Sequence, residues 1–507
     1  MNPGNQTGIL TADWQRFFFW CFTLSLIIHL ATAWFSVGYQ FQDEQSQIMD
    51  FAGYKLGMVS INDLSWEYKE QIRQGIQPLA VVALYRVLQY FNMANPFLCA
   101  LILRIFSTLL GWVSVLFLTR EFCKKIESEY WKRFLVLLAC FIWLIAFVQS
   151  HFSCESLSGS FFFIGLGCLL VSIDQPKENK KRNLIIMATG LFIGLAFIIR
   201  IQTVFMIVGL ALWCIFIARF SFKEMILMAI PGIMVILSGI IIDHWLYGKW
   251  VFTIYKYFYV NMVLGKASEF GTTPFYYYFY MYYLAFIPIF SIFIMGCIVF
   301  SWLRFPKHIL TWICVPFFVG HSLIGHKEFR FLWPLVDALP MLLIMPFLKV
   351  DVTLFKKKIT TLPVRILWGL NVVLLVFFII KPGNNAFGMY EYLYNYVSKY
   401  GNTQIISNVE NPYVMEGTTN SFQKPQNIFS KKARNISSIH QMAISSDIQN
   451  ILIAINNNAQ ADSFEKSYPK MQRLYKGWPG WVNYFKVNSK EERNQVWYLF
   501  KWDANAL

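Results

Sequence analysis

Charge is what this sequence has least of. Only 14% of its residues are Asp, Glu, Lys or Arg, and the 28 acids are far outnumbered by 44 Lys and Arg. That excludes a solvated disordered chain and leaves too little charge for the surface of a water-soluble protein of 507 residues. No GxxxxGK[ST] loop and no GxGxxG after a strand is present, so no backbone cradle for nucleotide phosphates is visible. No cysteine and histidine spacing of the metal-binding kind occurs, and no GxSxG elbow. The cysteines number nine, an odd count, and nearly all lie in apolar segments, so no disulfide framework is implied.

What is present is apolar: 56% hydrophobic residues, 18% aromatic, and a mean hydropathy of +0.45. These values describe a polytopic membrane protein. Apolar runs near 16–36, 98–119, 134–150, 157–173, 184–200, 202–218, 225–245, 277–302, 309–325, 331–348 and 366–381 predict about eleven transmembrane helices. The run 16–36 has a weak basic flank and no small-residue cleavage site, so it reads as a retained first span.

The net charge of +16 would suggest nucleic acid in a soluble chain, but here the basic residues sit in short clusters between apolar runs. They read as topology signals, with no nucleic-acid partner. With the N-terminus cytoplasmic, the clusters at Arg120–Arg133, Lys177–Arg182, Arg219/Lys223, Arg304/Lys307 and Lys349–Arg365 all fall inside. The segment 78–91 is short and carries Arg86 and Gln89, and counting it as a span would invert that order. It reads instead as an extracytoplasmic juxtamembrane helix. The polar tail holds strand-like runs at 451–455 and 496–500 and a turn-rich join at 477–480, which predict a small extracytoplasmic α/β domain. The expected division is a membrane domain over 1–381, with its first outside loop at 37–97, and a C-terminal domain over 382–507.

One cluster breaks the charge pattern. His326-Lys327-Glu328-Phe329-Arg330 puts four ionisable residues between apolar runs on the outer side, where such charge is costly and either marks a working site or forms a snorkelling interfacial belt with Glu328 paired to a basic neighbour. Helical geometry would turn His326 and Arg330 to one pocket and Lys327 elsewhere. On the same side, directly after the first span, lies the pair Asp43-Glu44, able to take a proton from a hydroxyl or simply to cap a helix. A carboxylate near cations that hold a phosphate suits glycosyl transfer from a lipid phosphate sugar. Arg200 divides two apolar runs at the outer face and either contacts a lipid phosphate or snorkels. Trp66-Glu67, the aromatic stretch from Asp243 through Tyr247 to Trp250, and Gly271–Pro274 are weaker signals. His151, beside Glu155, reads as a surface histidine.

Taken together, these motifs resemble glycosyltransferase family 22 of the GT-C class, which includes the mannosyltransferases of N-glycan precursor and glycosylphosphatidylinositol assembly. His326 through Phe331 is similar to the family's HKExRF signature, and Asp43-Glu44 lies where the family has its first-loop acidic pair. Trp66-Glu67 with Gly75–Pro78 looks like its TWEW and GxRSxxxP region, and Gly194–Arg200 like GLAFxxRP. Asp243–Trp250 and Gly271–Pro274 look like the DxxxYGxWV and GTxP pair. Gln74, Gln202 and the surroundings of His151 depart from the family pattern, which bears on the acceptor.

The resemblance implies a GT-C fold and an inverting transfer of mannose or a related hexose, without metal or other cofactor. The donor would be a polyprenyl or dolichyl phosphate sugar and the acceptor a lipid-linked glycan. It implies Asp43 or Glu44 as the base, and His326, Lys327, Arg330 and Arg200 at the donor phosphate. Trp66, Glu67, Tyr247 and Trp250 would line the substrates. A flippase or transporter of lipid-linked sugars is the alternative. Active face outward, a bacterial inner membrane is favoured over the endoplasmic reticulum because the tail matches no family motif.

Overall fold

The structure, a computed structural model, describes residues 12–285, 288–356, 358–415, 418–477 and 496–503. Its chain divides into two compact units. One comprises Met1–Phe35, Gln74–Ile76 and Leu103–Ile380, and the other Ser36–Arg73, Gln77–Ile102 and Lys381–Leu507. Most of the first outside loop thus falls in the unit that contains the tail.

The first unit is helical. Among the described residues seven helices are long and apolar enough to cross a membrane, or up to nine if each of two bent pairs is one span. Each segment expected as a span is helical, but not each has the length of a crossing. Ile201–Phe216 is shorter, Glu129–Phe141 and Trp143–Gln149 meet at a 44° bend, and Pro288–Arg304 and Ile309–Leu323 at 119°. The helix Phe222–Tyr247 shows how local chemistry sets its ends. Ser221 and Glu224 form a reciprocal capping box at its start, and Gly248, at φ +69°, turns the chain out in the left-handed region.

Small residues let backbones approach within this unit. A Cβ on Gly190 would lie 1.8 Å from the Met228 carbonyl oxygen, and one on Gly159 would lie 2.6 Å from that of Pro334. The second contact presses the segment Phe329–Ala338 against the helix Cys154–Ile173. That segment corrects the helical geometry expected for the charged cluster. Residues 324–328 are non-helical, and Phe329–Ala338 is a ten-residue 3-10 helix containing Pro334. Proline lacks the amide that an α-helix needs, and so long a 3-10 run is uncommon outside functional segments.

In the second unit the strand Thr403–Ser407 lies between Ile428–Lys432 and Asn450–Ile455 and is parallel to both. Tyr498–Lys501 pairs antiparallel with Asn450–Ile455 and with the edge strand Gln472–Lys476. β-Branched runs supply the buried strand faces, and Ile406, Ile453, Phe464 and Phe500 share one core. Of the expected turn at 477–480, residues 478–480 lie outside the described residues. The first outside loop packs within this unit: Phe97 meets Phe387 edge-on, Tyr85 meets Phe422, and the Phe422 amide donates to Asp50 at 3.0 Å. The expected helix at 78–91 is Ile76–Tyr90, with Val81, Tyr85 and Leu88 buried.

Burial pushes the Asp50 carboxyl up to about 8, against the hydrogen bonds from Phe422 and Gln45. A carboxyl raised in the folded state binds its proton more tightly there, so its contribution to stability is complete below the unfolded value of 3.8 and is lost as pH rises through about 8. Thermal melts of the purified protein should show the unfolding temperature falling across that window, and Asp50→Asn should flatten the fall. In the first unit, Gly159→Val should destabilise by about 1–3 kcal/mol through overpacking, read as an earlier melt in detergent.

Candidate active site

Glu155 stands at the start of the helix Cys154–Ile173, whose amides are capped by Ser153. It is 2% exposed, and its Oε1 accepts from Arg200 Nη1 at 2.7 Å and lies 3.8 Å from Arg330 Nε. Arg330 in turn donates through Nε and Nη2 to the two oxygens of Glu328 at 2.8 and 3.1 Å, and His326 Nε2 meets Glu328 Oε1 at 3.2 Å. Loop and 3-10 geometry therefore still bring His326 and Arg330 together, because Glu328 holds both.

Phe331 is the hub. The guanidinium carbons of Arg200 and Arg330 lie 5.3 and 5.8 Å from its ring centre, and the rings of His326 and His321 at 5.9 and 6.2 Å. Cations over an aromatic face gain from the ring quadrupole in a dry setting. Two guanidiniums balance two carboxylates, and a protonated His326 adds a further positive charge to that of Lys327 in the same loop. The Glu328 hydrogen bond is the main cause that raises the His326 imidazole above its ordinary value of 6.5, against burial. Burial would raise the Glu328 carboxyl, but Arg330 and His326 hold it well below the usual carboxylate range.

Lys327 is placed differently. Its ammonium donates to the carbonyls of Thr273, Ile324 and Gly325 at 2.9, 2.7 and 3.5 Å, and burial lowers its pKa. It pins the loop 324–328 to the Gly271–Pro274 segment, as His326 does through Gly271 O at 3.2 Å. Arg200 is the reverse. It is 4% exposed, and its Nε and Nη2 have no hydrogen-bond partner. Buried guanidinium nitrogens without acceptors are costly unless a water or ligand meets them.

The remaining expected residues lie elsewhere. In the first unit Asp243 accepts from the Gly75 amide at 2.7 Å and from the Thr253 hydroxyl, tying together two of the motif segments. Tyr247 is half-buried, and Trp250, 70% exposed, stacks flat on His244 at 4.3 Å. In the second unit Asp43 is half-buried at the head of the π-helix Glu44–Met49. Glu44 is buried and accepts from the Gln40 amide at 3.2 Å, and Asp43 is the less buried of the pair. Trp66 opens a short helix. Glu67 is buried, accepting from Gln47 at 2.8 Å with Arg73 at 3.6 Å.

Glu155 is the residue that sequence reasoning passed over. Its one signal is an acid at the apolar start of a span. His151, expected at the surface, is fully buried, and its carbonyl accepts from Ser107 at 2.6 Å.

The profile of the Alg9-like mannosyltransferase family matches residues 20–427. This chain belongs to that family. Mannosyltransferase APTG1 of Arabidopsis thaliana is 26% identical over 55% of this chain and 50% of its own length. GPI mannosyltransferase 3 of Yarrowia lipolytica is 24% identical over 55% and 52%. The chain thus spans about half the length of these curated relatives. The fold is that of GT-C membrane enzymes. The crystal structure of ArnT from Cupriavidus metallidurans bound to undecaprenyl phosphate superposes with a TM-score of 0.53 at 9% identity, covering 98% of this chain and 99% of that one. An oligosaccharyltransferase of Archaeoglobus fulgidus gives 0.51 at 10% identity, covering 89% and 71%.

Removing Glu155 would leave the buried Arg200 guanidinium without the carboxylate that pairs with it, while Arg330 keeps Glu328. Glu155→Ala should therefore cost about 3–5 kcal/mol, measured by chemical unfolding in detergent, whereas breaking the exposed Lys266–Glu269 pair should cost under about 1 kcal/mol.

Proposed function

We propose that this protein transfers mannose, or a related hexose, from a polyprenyl or dolichyl phosphate sugar to a lipid-linked glycan, with inversion at the anomeric carbon. The observation that carries the reading is the buried cation cluster around Phe331, with two Arg200 nitrogens unpartnered and a protonation-prone His326 alongside. A departing lipid phosphate gains negative charge as the glycosidic bond breaks. Preorganised donors in a water-poor site stabilise that charge without reorganisation.

In this reading Arg200, Arg330 and His326 hold the phosphate, and Lys327 acts at one remove by fixing their loop. Asp43, less buried than Glu44, takes the proton from the acceptor hydroxyl as that oxygen attacks C1. Trp66, Glu67, Tyr247 and Trp250 belong to substrate binding.

A lipid-carried donor has a second support. An apolar cavity of about 140 Å³, lined by Trp143, Tyr278, Tyr282, Ile298, Trp302 and Trp333, has room for a short stretch of an isoprenoid chain. A relative from Schizosaccharomyces pombe, 25% identical over 43% of this chain, carries the name of a probable dolichyl phosphate mannose-dependent transferase acting on a lipid-linked glycan. The active face is extracytoplasmic in this reading. Because the similar curated proteins are eukaryotic, weight moves from a bacterial inner membrane toward the endoplasmic reticulum.

The test is mannose transfer by the purified protein in lipid, from synthetic polyprenyl phosphate mannose to a panel of lipid-linked glycans. Asp43→Asn should abolish turnover while donor binding persists. A wild type that moves the donor across a bilayer and transfers nothing would overturn the reading in favour of a transporter. With pH rising through the raised His326 value the cluster loses a positive charge, so wild-type kcat/KM should fall on the alkaline side and His326→Asn should lack that limb.

A further inference from the structure

His321 belongs to none of the motifs, yet it sits in the cluster. It is 1% exposed, wedged against Phe317 at 4.2 Å and Phe205 at 5.7 Å between ring centres, with Phe331 beyond. Its Nδ1 lies 2.9 Å from the Phe317 carbonyl oxygen. A carbonyl only accepts, so the proton is on Nδ1, and in the neutral ring Nε2 presents a bare lone pair. That nitrogen is buried and has no hydrogen-bond partner.

Two other orphans accompany it. Arg200 Nε and Nη2 are donors without acceptors, and the Tyr278 hydroxyl, on a residue 1% exposed, is also unpartnered. Both His321 and Tyr278 lie within electrostatic reach of Arg200. The set is mixed: one obligate acceptor, one obligate donor and one group that does either. A phosphate oxygen offers only lone pairs and cannot satisfy Nε2. A sugar hydroxyl can, because it donates to the imidazole while accepting from the guanidinium. The aromatic rings around His321 add the flat apolar surface that the carbon face of a hexose prefers.

We propose that His321 Nε2 accepts a hydrogen bond from one hydroxyl of the transferred sugar, with Arg200 and Tyr278 completing the contact, so that His321 sets sugar specificity. This rests on the reading of a lipid phosphate sugar donor. Arg200, with two uncommitted nitrogens, serves phosphate and sugar alike.

The test compares wild type, His321→Phe and His321→Gln in lipid, with polyprenyl phosphate mannose and its monodeoxy analogues as donors. Wild type should lose roughly tenfold or more in kcat/KM for one deoxy analogue. His321→Phe, which keeps the ring and removes the acceptor, should lose the same factor with the mannose donor and nothing further with that analogue. His321→Gln, whose side-chain oxygen restores an acceptor, should recover part of the loss. A His321→Phe loss equal for every donor, or no loss, overturns the assignment and leaves the function standing. A wild type that uses no polyprenyl phosphate sugar overturns both. Should His321→Phe fail to fold, Tyr278→Phe, which removes only a hydroxyl, must show the same donor-selective pattern, and a uniform effect would overturn the proposal.

Discussion

A single buried carboxylate organises the candidate site. Glu155 has almost no water around it and is held by Arg200 at 2.7 Å with Arg330 at 3.8 Å. Arg200 would not stay dry without it, since an uncompensated buried charge costs several kcal/mol. With Glu155 in place, Arg330 is free to grip Glu328, Glu328 to hold His326, and Phe331 to present its ring to all of them. Gly159 makes the arrangement sterically possible, because no side chain separates the Cys154–Ile173 helix from the 3-10 segment that carries Arg330.

The HKEFRF cluster was legible as a feature because charge between apolar runs is costly and therefore rare, whereas the role proposed for it comes from the family resemblance. Its geometry was not legible. Four-residue spacing predicts a helix, but the preceding helix ends at Leu323, Pro334 sits in a 3-10 segment, and the pairing of His326 with Arg330 depends on a carboxylate two residues from each. Glu155 was hidden for a different reason. Its cationic partners lie 45 and more positions away, and nothing local separates a buried bridging acid from a helix-capping one. The helical apolar segments were legible by hydropathy, whereas the 44° bend after Phe141 and the short Ile201–Phe216 helix were not, and among the described residues seven to nine crossings stand against the eleven expected.

The second unit carries a related lesson. Its sheet was foreshadowed by β-branched runs, yet the membership of residues 36–73 and 77–102 in the same unit as the tail has no local signature. Asp50 and Phe422 are 372 residues apart in sequence and share one hydrogen bond. The acidic pair likewise differs only in its surroundings: Glu44 is buried and Asp43 half-buried.

The central claim is that the buried cations around Phe331 are an anion site for a lipid phosphate. It is tested most directly by equilibrium binding of sugar-free polyprenyl phosphate to the protein in nanodiscs. Arg200→Gln should weaken binding by roughly ten- to a hundredfold, the worth of charge-assisted hydrogen bonds, while Asp43→Asn leaves it unchanged. Equal affinity of wild type and Arg200→Gln, with both correctly folded, would contradict the account.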